Sequence, residues 1–227
     1  MCTSFGEPLL NYLVKLVKVN NPITIPIFVG GWYAMFNLVK RLNPRQSSAW
    51  HSNVLNFLHA AMVSSTLLYK MINSDETKSD DLNYDATIAF FLYDLTRTPI
   101  GSLFFYHHII SLISVSMIRV DKTRQLTSKL FLAMEIGNLP LYIVCGLMLS
   151  RHKQYWKSHR YMKYLMVFEF LWYVFFRCIL PVALFVKVRY VLYKFIVFGF
   201  VFSSVLWAKN MFQQLKNIKL SKIFEEA

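Results

Sequence analysis

Apolar residues in this 227-residue chain fall in long blocks, separated by short polar or charged stretches. Blocks of this length, without period-two alternation, predict helices that cross a bilayer. The pattern predicts seven spans. Span one covers 23–42, opened by Pro22 and Pro26 and closed by Lys40, Arg41 and the Asn43-Pro44 pair. Span two, 50–72, is less apolar, with Ser52, Asn56, His59 and Thr66 close to one helical face. An acidic loop over 73–83 leads into a short span three, 84–98. Pro99-Ile100-Gly101 then predicts a tight turn before span four, 102–118. Span five, 126–150, contains Glu135, Asn138 and Pro140. A basic, aromatic loop reaching Lys163 overlaps the start of span six, 161–186, which holds Glu169, Arg177 and Pro181. Span seven covers 188–214. Ahead of them all, residues 8–20 set Leu9, Leu13, Leu16 and Val17 apart from Lys15 and Lys18, which suits a short interfacial helix.

The expected fold is therefore all-α, a polytopic transmembrane helical bundle of about seven spans around a lipid-accessible cavity. Residues 1–49 form the interfacial helix and first span, 50–214 a six-helix domain, and 215–227 a basic-to-acidic tail. Composition agrees: 56% of residues are hydrophobic and only 16% are charged, against about 45–50% and 25% in soluble domains. The net charge of +13 reads as loop Lys and Arg facing anionic lipid, so no nucleic-acid partner is expected. Slightly more of these cations flank span ends on the carboxy-terminal side, which predicts a cytosolic carboxy terminus. The three cysteines have no metal-ligand spacing and read as packing residues.

Polar groups inside hydrocarbon are candidate functional groups. The adjacent pair His107-His108 lies in an apolar run with no charged residue until Arg119. Measured from the predicted cytosolic face, His59, Asp94, the histidine pair and Glu169 all fall roughly 6–14 Å deep. Glu135 and Asn138 lie nearer the middle. Similar depth predicts one polar cavity open to that side. Glu135, Asn138 and Tyr142 form one helical stripe, and Glu169, Tyr173 and Arg177 another. Adjacent His107 and His108 diverge by about 100° around the helix, so one faces the cavity while the other braces it; the sequence leaves open which. Other readings stand beside these. Asp94 and Arg97 have the spacing of a local ion pair. Arg177 has Glu135 or Glu169 as a neutralising partner, and His59 has the alternative of a packing role. Pro140 and Pro181 free the carbonyls of Ile136 and Arg177.

No metal is expected. Six histidines with a single HH pair do not supply the repeated boxes of a membrane di-iron site. A zinc held by His107, His59 and a carboxylate is geometrically allowed, but nothing selects it. No G-x-S-x-G, H-E-x-x-H or P-loop pattern occurs.

Taken in order, several elements resemble a TLC domain, the family of translocation-associated membrane proteins, ceramide synthases and a lipofuscinosis protein. They are Tyr93-Asp94-Leu95 closing one span, His107-His108 early in the next, and Met134-Glu135-Ile136-Gly137-Asn138-Leu139-Pro140. Phe175-Phe176-Arg177 and Pro181 follow. The resemblance covers roughly 51–214. It implies helices around a lipid-holding cavity, in the endoplasmic reticulum or another endomembrane. In the ceramide-synthase branch, paired histidines are implicated in moving an acyl chain from coenzyme A to a long-chain amine. That branch also carries an H-D-x-x-D element where this chain reads Met134-Glu135-Ile136-Gly137-Asn138, so the match is closer to other TLC-domain proteins.

The resulting expectation is a lipid-binding membrane protein acting in lipid metabolism or homeostasis, with no bound cofactor. As an acyltransferase it uses His107, His108 and Asp94 as catalytic groups and acyl-CoA as co-substrate. His59, Glu135, Asn138, Tyr142, Glu169 and Arg177 bind a membrane lipid or long-chain amine. The alternative is a non-enzymatic lipid sensor, carrier or trafficking protein with the same cavity.

Overall fold

The computed structural model describes residues 23–73, 80–118, 124–158, 160–186 and 191–217. The interfacial helix expected over 8–20 and most of the acidic loop lie outside these residues. All described secondary structure is helical. The elements are α1 (Thr24–Leu42), α2 (Ser48–Asn73), α3 (Asp80–Leu95), α4 (Leu103–Ile118), α5 (Arg124–Leu149) and the short α6 (Lys153–Ser158). Then follow α7 (Arg160–Val174), a π-helical turn (Phe175–Ile179), α8 (Leu180–Phe185) and α9 (Val191–Asn217).

Among the described residues, three stretches are long and apolar enough to cross a membrane: Leu126–Leu149, Tyr161–Phe185 and Tyr193–Lys216. A shorter apolar helix covers Phe104–Val115. The earlier helices fall below that mark for physical reasons. α2 interleaves serine, asparagine and histidine with its apolar residues, and the 16 residues of α3 rise only about 24 Å.

The faces of α9 explain why it reads as a span. Tyr193, Ile196, Val197 and Phe200 point into the bundle and are buried, while Phe195, Phe198, Phe202 and Val205 stand exposed on the opposite side. A helix apolar all round fits a hydrocarbon surrounding rather than water.

Side-chain donors fix how the helices sit together. Trp32 Nε1 on α1 donates to the Ala86 carbonyl of α3 at 3.1 Å. Asn53 Nδ2 on α2 donates to the Tyr142 carbonyl of α5 at 2.8 Å. That approach needs Gly146, where a Cβ would lie 3.1 Å from the same Asn53 nitrogen. Pro140 cannot donate to the carbonyl of Ile136 four residues back. Trp172 of α7 does so instead, with its indole nitrogen 2.9 Å away. The proline gap in one helix thus becomes the docking point of the next.

Two local devices aim the polar residues. After α3 the chain turns through Thr96–Ser102, with Gly101 at φ 86° in the left-handed region that suits glycine. The Ser102 hydroxyl then accepts the Phe105 N–H at 3.1 Å and caps α4, placing His107 and His108 near the helix start. Further on, the Leu180 N–H bonds the Phe175 carbonyl five residues back, and Pro181 follows. This π turn carries Arg177, and single π turns inside α-helices are frequent at functional sites.

Candidate functional site

A cavity of about 1300 Å³ occupies the end of the bundle where α3 stops and α4 begins. One wall is polar: Ser48, Ser52, Asn53 and Asn56 of α2, with Asp94, Thr98 and Ser102. Other parts of the lining are softer, with Leu141, Val144 and Met148 of α5, Met162 and Met166 of α7, and Met211 of α9. Methionine is flexible and polarisable, so such a wall adapts to chains of different shape. His107 and His108 stand at the α4 edge, beside Trp207 of α9.

The two imidazoles lie with ring centroids 5.6 Å apart, inclined at 51°. Both residues are mostly buried, yet only their Nδ1 atoms are enclosed without a hydrogen bond. Neither Nε2 is enclosed in this way, and both residues line the cavity. The expectation of one facing and one bracing histidine is therefore corrected: both line the chamber. A 100° divergence allows this because the cavity wraps around the start of α4. His107 also packs edge-on against Trp207, centroids 5.1 Å apart.

His108 Nδ1 lies 3.2 Å from Asp94 Oδ2. The distance is that of a hydrogen bond, although the N–H direction is not aligned for one. The approach still decides what Asp94 is for. Among the described residues its carboxylate lies against the His108 ring, and the local Asp94–Arg97 salt bridge does not form. Arg97 turns the other way, donating to the Tyr93 hydroxyl and to Ser48 Oγ. Its guanidinium carbon stacks 3.6 Å above the Phe36 ring of α1. That aromatic seat comes from a helix distant in sequence, so spacing within α3 gave no sign of it.

Of the two helical stripes, Asn138, Tyr142 and Glu169 line the cavity and Tyr173 does not. The Glu169 side chain has no hydrogen bond or ion pair among the described residues, and its carboxylate is not enclosed. His59, Glu135 and Arg177 do not line the cavity. His59 stacks on Phe90 with centroids 3.9 Å apart and planes within 7°, and Trp32 and Phe91 complete the cage. Its depth along the axis matched the other polar groups, but its azimuth turns it towards α1 and α3.

Arg177 is fully buried and has no carboxylate within 4 Å among the described residues, so neither expected ion pair forms. Its Nη1 donates to the Met134 carbonyl at 3.1 Å, while Nε and Nη2 have no partner. The side chain passes directly over Gly137, where a Cβ would meet its Cγ at 2.6 Å and its Cδ at 2.9 Å. Arg177 thus stands behind the chamber, its guanidinium 5.9 Å from the ring of the lining residue Trp207.

Several lining residues were not singled out from sequence. Ser48, Asn53, Lys163, Trp207 and Asn210 face the cavity but have no distinguishing spacing. Cys145, read as a packing residue, also lines it and is half-buried. Among the described residues no three His, Cys, Asp or Glu side chains converge as a metal-ligand set.

The arrangement offers a base with a carboxylate beside it, a second open imidazole, and an unpaired acid, all on a chamber with an apolar wall. No protein-family model, no curated protein and no solved structure matches this chain.

Proposed function

We propose that the chain is a TLC-type integral membrane protein that holds a lipid in this chamber and transfers an acyl group there. In this reading about seven spans cross an endomembrane such as the endoplasmic reticulum, with the carboxy terminus in the cytosol. The observation that carries it is the Asp94–His108 approach of 3.2 Å on the wall of a cavity of about 1300 Å³ whose lining also holds leucine, valine and methionine side chains. Sites for drug-sized ligands span about 300–1,000 Å³, so this volume suits a larger amphiphile.

The chemistry follows from the exposed ring edges. Asp94 favours the tautomer with the proton on Nδ1 and leaves the His108 Nε2 lone pair facing the cavity. That nitrogen takes a proton as a long-chain amine attacks the carbonyl of an acyl thioester such as acyl-CoA. The new C–N bond forms, the C–S bond breaks, and the proton passes from the imidazolium to the departing thiolate. Asp94 stabilises the transient imidazolium. His107 Nε2, also open, is placed to polarise the carbonyl or relay the proton.

The experiment is turnover of labelled acyl-CoA and a long-chain amine by the purified protein. Loss of product in His108→Ala, with lipid retention intact, supports transfer. A second reading rests on the misaligned Nδ1 and on the chamber's size: the same cavity serves a lipid carrier or sensor. Bound lipid without turnover in the wild type selects it.

A further inference from the structure

The cavity lining holds one acid and one base, Glu169 and Lys163, that have no partner among the described residues. Glu169 is 5% exposed, lines the chamber, and has no hydrogen bond or ion pair among the described residues. Lys163 lines the same chamber, half-buried, and also has no partner among the described residues. The other lining cation, Arg97, is committed to Tyr93, Ser48 and the face of Phe36. The other lining acid, Asp94, sits against His108.

Both unmatched residues lie on α7, six positions apart, a rise of about 9 Å. Lys163 is near the start of a stretch long and apolar enough to cross a membrane, which begins at Tyr161, and the end of such a helix meets lipid phosphates. Glu169 is about one and two-thirds turns further along the helix. They do not pair with each other, so each is left open to a ligand group of opposite charge. A ligand carrying both charges would satisfy them together.

We propose that the cavity recognises a zwitterionic amphiphile, with its anionic group at Lys163 and its ammonium group at Glu169. The inference rests on the reading of the chamber as a lipid site and adds the head-group class. A purely anionic lipid leaves Glu169 unmatched and brings a second negative charge towards it. A simple alkylammonium leaves Lys163 unmatched.

The test uses delipidated full-length protein in detergent, titrated with phosphatidylethanolamine, phosphatidylglycerol and oleylamine, with apparent Kd read by native mass spectrometry. The zwitterion binds at least about tenfold tighter than either single-charge probe, the scale of one charge-assisted contact. Glu169→Gln brings phosphatidylethanolamine to the level of phosphatidylglycerol. Lys163→Gln brings it to the level of oleylamine. Equal wild-type affinity for phosphatidylethanolamine and phosphatidylglycerol overturns the inference, as does a preference that survives Glu169→Gln. Head-group indifference with tight binding leaves the lipid-chamber reading standing, whereas failure of all three probes to bind removes both. The wild-type ranking decides the matter even where a variant does not fold.

Discussion

At the scale of single residues, Gly137 and Asp94 carry the most testable consequences. The stem of Arg177 passes so close to Gly137 that a methyl group there would sit 2.6 Å from Cγ. Arg177 is enclosed and cannot swing aside into solvent. Gly137→Ala is therefore expected to destabilise the protein by about 1–3 kcal/mol, the usual cost of overpacking. Thermal unfolding in detergent measures it. Gly30→Ala, where nothing lies within 4 Å of the added carbon, is the matched control and should be neutral or slightly stabilising. Asp94→Asn keeps the shape and removes the charge beside His108. Turnover should fall about 10²-fold or more, while retained lipid stays unchanged; a variant with full activity would exclude the dyad. The grouping of Asp94, His107 and His108 at one depth was legible in the sequence because each lies near a helix end marked by turn residues. The seat of Arg97 on Phe36 and the isolation of His59 were not. Both depend on the rotation of a helix about its axis, and distance along the axis does not fix that.

At the scale of elements, the junction between α5 and α7 shows how a broken hydrogen-bond ladder is reused. Pro140 leaves the Ile136 carbonyl without its helical donor, and Trp172 supplies one at 2.9 Å. Removing that donor leaves a carbonyl unsatisfied in a low-dielectric setting, at a cost of about 1–3 kcal/mol. Trp172→Phe should show this loss in an otherwise native background. In Pro140→Ala, where the backbone N–H at position 140 can close the helix bond, the same substitution should cost clearly less. A double-mutant cycle on unfolding free energy reads the difference, and additive effects would contradict the account. Apolar blocks and the two prolines made the existence of these helices legible, with ends within a few residues of those observed. The π turn at Phe175–Ile179 was not foreseen. The sequence showed that Pro181 would free a carbonyl, but whether the helix kinks, breaks or takes up an extra residue is decided by what packs around it. Here that is Arg177 threading past Gly137.

At the scale of the whole molecule, the polar end of α2, the turn after α3 and the start of α4 meet the methionine-bearing ends of α5, α7 and α9. Polar serine and asparagine on α2, which lowered its hydropathy, become one wall of the chamber. Nothing in the sequence marked Trp207 or Asn210 as part of the lining, because a wall has no motif of its own. The proposed seven-span reading puts the termini on opposite sides, so an amino-terminal and a carboxy-terminal tag should be protected from protease in opposite sets of sealed vesicles. Tags on the same side would contradict the span count. The central claim is that the chamber holds lipid, and photocrosslinking from within it is the most direct measurement. A benzoylphenylalanine at Met148, on the cavity wall, is compared with one at Phe195, on the outward face of α9. After exhaustive detergent washing, the account predicts a lipid adduct at Met148 and none at Phe195. No adduct at Met148, or equal loss at both positions, would contradict it.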